Sequence, residues 1–431
     1  MIKRISLRAL SFILALILLL SSLSSCEKPQ PNDTNIDSDS VFSRLKAMDE
    51  IPKFNESLFG AIESCFNSYY YTELPDNETL AELTKNAYIE FCSEIDVNSE
   101  TEVTYSLIDC YIHAIGDKYA FYRSADESEE YTGDMSGNFV GIGVAVLRDD
   151  LQKTIFVNSV EPGSPAFKAG IMPDDYIVAV NGVRVSDVGP LDAVNMIRGE
   201  EGTEVTVTVN RSGTEILFTM TRARITETTV SYSFTEENNV GLIAITSFKA
   251  NTASQFFDAI NAMEAAEVSG IIFDLRRNPG GYLSAVSDML SYLVPTGTPI
   301  ASFSSSKKPI YATHGGKLEP ADHVLSVPSV VICDETSASA AELFSAAMRD
   351  YNDMELLKCT VVGKTTYKKG VMQSTYYFKD ESSLTLTTAL YNPPSGINFN
   401  GVGVTPDVLV EDENKYNEVA LSELLSLIEN N

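Results

Sequence analysis

Histidine is scarce in this chain: His113, His314 and His323 are the only three in 431 residues, and none stands in a motif with a second metal ligand or a nucleophile. Zinc catalysis and Ser-His-Asp chemistry are therefore disfavoured. Cations are also few, with 31 Lys plus Arg against 60 Asp plus Glu and a formal net charge of -29. Such a field repels phosphate backbones, which argues against nucleic acid as a partner. Cysteines number six, too sparse for a stapled mini-domain and without metal-ligand spacing, so buried free thiols are expected for Cys65, Cys92, Cys110, Cys333 and Cys359. Long apolar runs are missing beyond Leu20, which excludes a multi-span membrane protein, and no repeat of fixed period is visible.

The remaining composition, 44% hydrophobic and 21% charged, is that of a globular protein, and the length suits about three domains. Lys3, Arg4 and Arg8 precede an apolar run from Ala9 to Leu20 and then small residues, the layout of an export signal. Leu23-Ser24-Ser25-Cys26 resembles the lipobox of bacterial lipoproteins, which implies cleavage after residue 25 and lipidation of Cys26. The expectation is an exported protein held by lipid at the outer face of the cytoplasmic membrane or in the periplasm. Residues 26–40, rich in Pro, Asn, Asp and Ser, read as a flexible tether.

Helical spacing of Leu58, Ile62, Cys65 and Phe66, then Leu80, Leu83, Ala87 and Ile89, predicts a small helical domain over 41–133, with Asn77 or Thr79 as a helix cap. Short strands between Gly, Pro and Asp turns predict a β-rich module over 134–224. From 225 to 415, strands such as Val240 to Ile245, Gly270 to Leu275 and Val327 to Cys333 alternate with helical stretches, and a C-terminal helix over 416–431 follows. Alternation of this kind predicts an α/β domain with largely parallel strands.

Three constellations bear on chemistry. Gly141-Ile142-Gly143 precedes a strand, so its backbone amides suit a peptide carboxylate, although a lone Gly-x-Gly is also an ordinary turn. Asp274-Leu275-Arg276-Arg277-Asn278-Pro279-Gly280-Gly281 ends a strand and reads either as a tight turn or as a loop bringing N–H groups to a substrate oxygen. Thr336-Ser337-Ala338-Ser339-Ala340-Ala341-Glu342 lies between a strand and a helix, where a serine is either an N-cap or a nucleophile beside helix amides. With histidine scarce, a base must come from elsewhere, such as a lysine kept neutral in a dry pocket within Gly363 to Gln373.

In order, Gly141-Ile142-Gly143, Pro162-Gly163-Ser164-Pro165-Ala166 and Asn181-Gly182 resemble a PDZ domain of the bacterial protease type. Asp-Leu-Arg-x-Asn-Pro-Gly-Gly, Ser-Ala-Ser-Ala-x-Glu and Lys-Gly-x-x-Gln resemble the carboxyl-terminal processing peptidases, and Gly401 to Asp407 is similar to that family's closing strands. The resemblance implies an α/β protease core with a PDZ domain and a helical N-terminal domain, Ser339 as nucleophile with Ser337 as fallback, and Lys369 as general base oriented by Gln373. Oxyanion donors would be the amide of Ala340 and one from Gly280 or Gly281. Period-two alternation places Lys369, Val371 and Gln373 on one strand face, with Lys368 opposite.

No cofactor or metal is implied. Partners would be peptide substrates with free C-termini, and homo-oligomerisation is left open. Three departures stand out: Lys368 where the family usually has glycine, Ala341 where serine is common, and about five extra residues near Tyr351 to Lys358. Lys368 keeps a second reading alive, a peptide-binding lipoprotein that has lost its chemistry. A small-ester hydrolase, the third reading, leaves the PDZ domain without a task.

Overall fold

The computed structural model describes residues 39–92, 99–149, 154–235, 237–305, 308–314 and 324–430. The expected signal segment, Cys26 and most of the expected tether lie outside the described residues. Among those described, no helix is long and apolar enough to cross a membrane. The chain divides into two compact units.

The first unit takes the described part of Met1–Glu130 together with Ser302–Ala312 and Gly370–Asn392. Helices Val41–Lys46, Glu56–Tyr69, Asn77–Cys92 and Glu100–Ile115 form because each presents an apolar stripe to one core that includes Phe59, Ile62, Phe66, Leu107 and Tyr111. Asp76 caps the third helix in place of the expected Asn77 or Thr79, accepting from the Thr79 N–H at 2.8 Å. Sequence spacing leaves such neighbouring caps equivalent, and the backbone turn chooses. Strand Ser383–Asn392 pairs antiparallel with Val371–Tyr377 and with Phe121–Arg123, and Phe378, Leu384 and Leu386 join the helical core. Residues 370–392 thus pack with the helices, although their place in sequence is inside 225–415.

The second unit holds Tyr131–Ala301, Thr313–Lys369 and Pro393–Asn431. Its first part is a β-rich module in which strand Val144–Asp149 lies first in the order, followed by Thr154–Val160, Tyr176–Val180, Glu204–Arg211 and Thr214–Thr221. Apolar alternation puts Ile155, Val157, Val205, Val207 and Val209 into its core. A ribbon of Asn138–Gly141 against Ala223–Thr226 leads into and out of it.

The second part is a six-stranded sheet. Val240–Ile245, Gly270–Asp274, Ser329–Cys333, Cys359–Gly363 and Val408–Leu409 run parallel, with Val230–Thr235 antiparallel at one edge. Its strands read as continuous apolar runs because helices cover both faces. Helix Tyr416–Glu429 packs Tyr416, Ala420 and Leu424 against Ile272, Val330 and Val362. Cys65, Cys333 and Cys359 are free and buried, and Cys110 is buried as well. Burial pushes the Cys65, Cys333 and Cys359 thiols up to about 12, which keeps them protonated and unreactive.

Candidate active site

Strand Ser329–Cys333 is buried at every position and delivers the chain to a turn before helix Ala340–Asp353. Ser339 sits at that junction, 8% exposed, with φ 55° and ψ -113°. A side chain held there costs of order 1–3 kcal/mol, so the surroundings must impose the conformation. They do so through Glu342, which is fully buried. Its Oε2 accepts the Ser339 N–H and the Lys369 N–H, each at 2.8 Å. The other oxygen accepts the Lys368 N–H at 2.7 Å and the Thr366 hydroxyl at 2.6 Å.

One carboxylate therefore ties the serine turn to the lysine loop with four hydrogen bonds. In the sequence Glu342 is visible only as the last residue of the serine motif. Its signal was the Ser-x-x-Glu spacing of a capping box, in which the third helical residue reaches back to the cap N–H.

Ser337 is pinned by its neighbours. Its hydroxyl donates to the Leu275 carbonyl at 2.8 Å and accepts the Asp334 N–H at 2.9 Å, and its side chain has no exposure. Asp334 accepts from the N–H groups of Arg277, Thr336 and Ser337, so it joins the glycine loop to the serine turn. Burial alone would raise its pKa. The hydrogen bonds from Thr336, Arg277 and Ser337 outweigh that and hold the carboxyl below the usual carboxylate value.

The paired glycines are required by contact. A Cβ on Gly280 would lie 2.8 Å from Ser339 Cβ and 2.7 Å from the Ala338 carbonyl, and one on Gly281 would lie 2.1 Å from the Phe248 carbonyl. Of the three expected oxyanion donors, Gly280 has its N–H committed to Asn278 Oδ1 at 2.8 Å. Asn278 is itself buried and donates to the Ile245 carbonyl. Phe248 forms a parallel bridge to Gly281, donating to the Gly280 carbonyl and accepting the Tyr282 N–H. That pattern turns the Gly281 N–H away from Phe248. Ala340 is the first residue of its helix, where an N–H has no intrahelical acceptor.

Lys369 is half-buried and Lys368 exposed. The expected single strand face does not form: the strand begins at Val371, and a register shift separates Met372 from Gln373. Lys369 lies before the strand, so period-two alternation does not reach it, and the extra residue of the register shift, Thr388, is on the partner strand Ser383–Asn392. Gln373 belongs to the other unit and donates to the Val371 carbonyl at 3.2 Å. Lys368 has φ 83°, a left-handed conformation that glycine adopts without strain. The extra residues near Tyr351 to Lys358 fall at the end of helix Ala340–Asp353 and in the turn after it, at the opposite end of the strands from Ser339.

In the β-rich module, Gly141 ends its strand and Gly143 has φ 80°. A Cβ on Gly143 would lie 2.3 Å from Ser164 Cβ. Ile142 is a core residue, 1% exposed, so only its backbone is offered to a ligand. Strand Val144–Asp149 pairs on one side with Thr154–Val160, and its other edge has no partner among the described residues. Helix Pro190–Ile197 packs beside it, with Val144, Val146 and Val194 half-buried and Leu191 exposed.

Comparison with known proteins matches the chain to two families. The PDZ domain model matches residues 132–210 and the Peptidase family S41 model matches residues 239–410. A probable CtpA-like serine protease of Staphylococcus aureus (strain bovine RF122 / ET3-1) is 33% identical over 320 residues, covering 74% of this chain and 62% of the relative. One of the same description from Staphylococcus haemolyticus (strain JCSC1435) is 34% identical over 307 residues, covering 70% and 59%. The matched region thus spans about three fifths of the length of these curated relatives. Among solved structures, a putative S41 protease from Bacteroides fragilis NCTC 9343 shares the fold, with TM-score 0.53, 14% identity, and coverage of 86% of this chain and 97% of that one. Residues 239–410 thus match peptidase family S41, and residues 132–210 match a PDZ domain.

Proposed function

We propose that this protein is a serine endopeptidase of the carboxyl-terminal processing type, acting on exported proteins through a Ser339–Lys369 dyad. The observation that carries the reading is the Glu342 oxygen shared by the N–H groups of Ser339 and Lys369, which brings the two residues together from positions 30 apart. Neutral Lys369 takes the Ser339 proton as Oγ attacks the peptide carbonyl. The developing oxyanion receives the N–H groups of Ala340 and Gly281, backed by the helix Ala340–Asp353 dipole. Protonated Lys369 then gives its proton to the leaving amine, an acyl-enzyme remains on Ser339, and water attacks it with Lys369 again as base.

The PDZ domain would bind the substrate's C-terminal tail, with its carboxylate on the backbone amides of Gly141, Ile142 and Gly143 and its chain paired to the open edge of Val144–Asp149. Lipidation of Cys26 would hold the protein at the membrane outside the cytoplasm. Against the reading of a peptide-binding protein without chemistry stands Ser339 itself, since strain at a serine that merely capped a helix would serve nothing. The test is incubation of wild type and Ser339→Ala with an unstructured exported protein, followed by mass spectrometry of the fragments. Fragments from wild type alone support the reading, and equal fragments from both overturn it.

A further inference from the structure

Arg277 and Lys368 share an unusual set of properties. Each is an exposed cation on left-handed backbone, with φ 61° and 83° respectively. Neither forms an ion pair among the described residues, in a chain with twice as many acids as bases. A glycine would hold either backbone without strain, so the side chains are kept against a local penalty. In both cases a buried carboxylate secures the strained backbone: Asp334 accepts the Arg277 N–H and Glu342 the Lys368 N–H.

These two carboxylates also hold the serine turn. Glu342 accepts the Ser339 N–H, and Asp334 the Ser337 N–H. Arg277 therefore lies on the glycine loop and Lys368 on the lysine loop, the two loops that these carboxylates tie to the serine turn. The Lys368 stem runs beside Gly403, where an added Cβ would come within 3.2 Å of Lys368 Cγ.

We propose that Arg277 and Lys368 form a carboxylate-selective subsite flanking Ser339, which draws peptide segments with acidic groups into the site. The inference rests on the peptidase reading and specifies its substrate class. A net charge of -29 repels an anionic segment at a distance, whereas within a Debye length of about 8 Å the nearest charges decide. At about 3.3–3.6 Å per extended residue, the two cations meet substrate positions within some three residues of the scissile bond. The carboxylate is an Asp or Glu side chain or a nearby chain terminus.

The test compares Arg277→Gly, Lys368→Gly and the double variant with wild type. Glycine suits both backbone conformations, so an undiminished melting temperature removes misfolding as an explanation. Substrates are C-amidated peptides, silent to tail recognition, with Glu or Gln at the positions flanking the cut. A third peptide has Gln side chains and a free terminus two residues beyond the cut. Wild type is expected to favour the Glu peptide in kcat/KM, each variant to lose about two- to fivefold of that preference, and the double variant to lose all of it. At 1 M salt the wild-type preference should fade as well.

A gain with the free-terminus peptide that the double variant loses assigns the subsite to termini too, and a gain confined to Glu assigns it to side chains. Anisotropy with Ser339→Ala and labelled peptides reads the same preference as affinity. Turnover with an equal Glu-to-Gln ratio in wild type and double variant overturns the subsite and leaves the peptidase reading standing. Absence of turnover with the affinity preference intact overturns the peptidase reading alone.

Discussion

Two glycine loops in this molecule offer backbone amides to a ligand, and they are built in opposite ways. The loop at Gly280-Gly281 is knitted to its surroundings by Asn278, by Asp334 and by the bridge from Phe248. The loop at Gly141-Ile142-Gly143 is held chiefly by carbonyls, with Ile142 accepting from Ala166 and Gly143 from Glu161, and it opens onto a strand edge that is unpaired among the described residues. Catalysis needs donors fixed before the charge develops, whereas tail binding needs an edge that many sequences can join. Under the proposed function, the knitted loop is the one that would face the transition state and the open one would face the varied substrates.

The largest effect expected is at the rigid end. Ser339→Ala and Lys369→Ala should each lower kcat by at least about 10³-fold, by analogy with other nucleophile and base deletions. Ser337→Ala should instead lower the melting temperature, since it deletes hydrogen bonds to Leu275 and Asp334. Stopped peptide assays paired with thermal unfolding separate the two, and lost turnover at unchanged stability in Ser337→Ala would reverse the assignment of the pair.

Next comes the clamp. Glu342→Gln replaces an oxygen that accepts two N–H groups, or its twin, by an NH2 donor. We expect kcat to fall about 10²-fold with KM within a few-fold, because geometry at the reacting atoms is lost and substrate contacts are not. Steady-state kinetics check the split, and an equal change in both constants would make Glu342 a general structural support.

A smaller effect should follow at the open loop. Gly143→Ala brings a Cβ against Ser164 at 2.3 Å on a φ of 80°, so tail recognition should weaken about tenfold. Comparing one peptide with a free and an amidated C-terminus reads this out: the amidated form should be indifferent to the substitution. A KM change alone means tethering, and a kcat change means that tail binding gates the site.

The smallest is a pH effect on stability. The Asp334 carboxyl is held below the usual value in the folded protein, so its contribution is present above the unfolded pKa of about 3.9 and lost as pH falls through the folded value. Asp334→Asn should remove about 1 kcal/mol at pH 7 and narrow the gap between variant and wild type in acid. Urea melts at pH 7 and pH 3 check it, and a constant gap would show that the charge is not what matters.

Much of this was legible in the sequence because motif order reflects chain order along a parallel sheet. The strands before Arg276 and Asp334, the glycine pair, and both members of the serine choice could be read directly. What escaped depends on distant partners or on register. Glu342 gains its meaning from Thr366, Lys368 and Lys369, more than twenty residues away, and only its capping-box spacing is local. The shared face of Lys369 and Gln373 failed because the strand starts only at Val371, after the left-handed turn at Lys368, and alternation does not mark where a strand begins. Residues 370–392 join the helices because Leu384 and Leu386 find their apolar neighbours there, which no periodicity reveals.

The segment after strand Val240–Ile245 carries a mechanical consequence. Phe248 grips the glycine loop through its own backbone, and the next residues hold the root of the PDZ domain: Lys249 bonds Asp134 and Glu227, Ala250 bonds Met135, and Asn251 bonds Gly137 and Glu227. Four consecutive residues thus act as a shared strut, with the PDZ root bolted to one end and the oxyanion loop to the other. If the PDZ domain binds a tail as proposed, a pull on that tail loads this strut, and the strut's stiffness sets how much of the load reaches Gly281. Loading works in both directions, so a transition-state mimic fixed on Ser339 must alter tail affinity by the same factor by which tail binding alters affinity for the mimic.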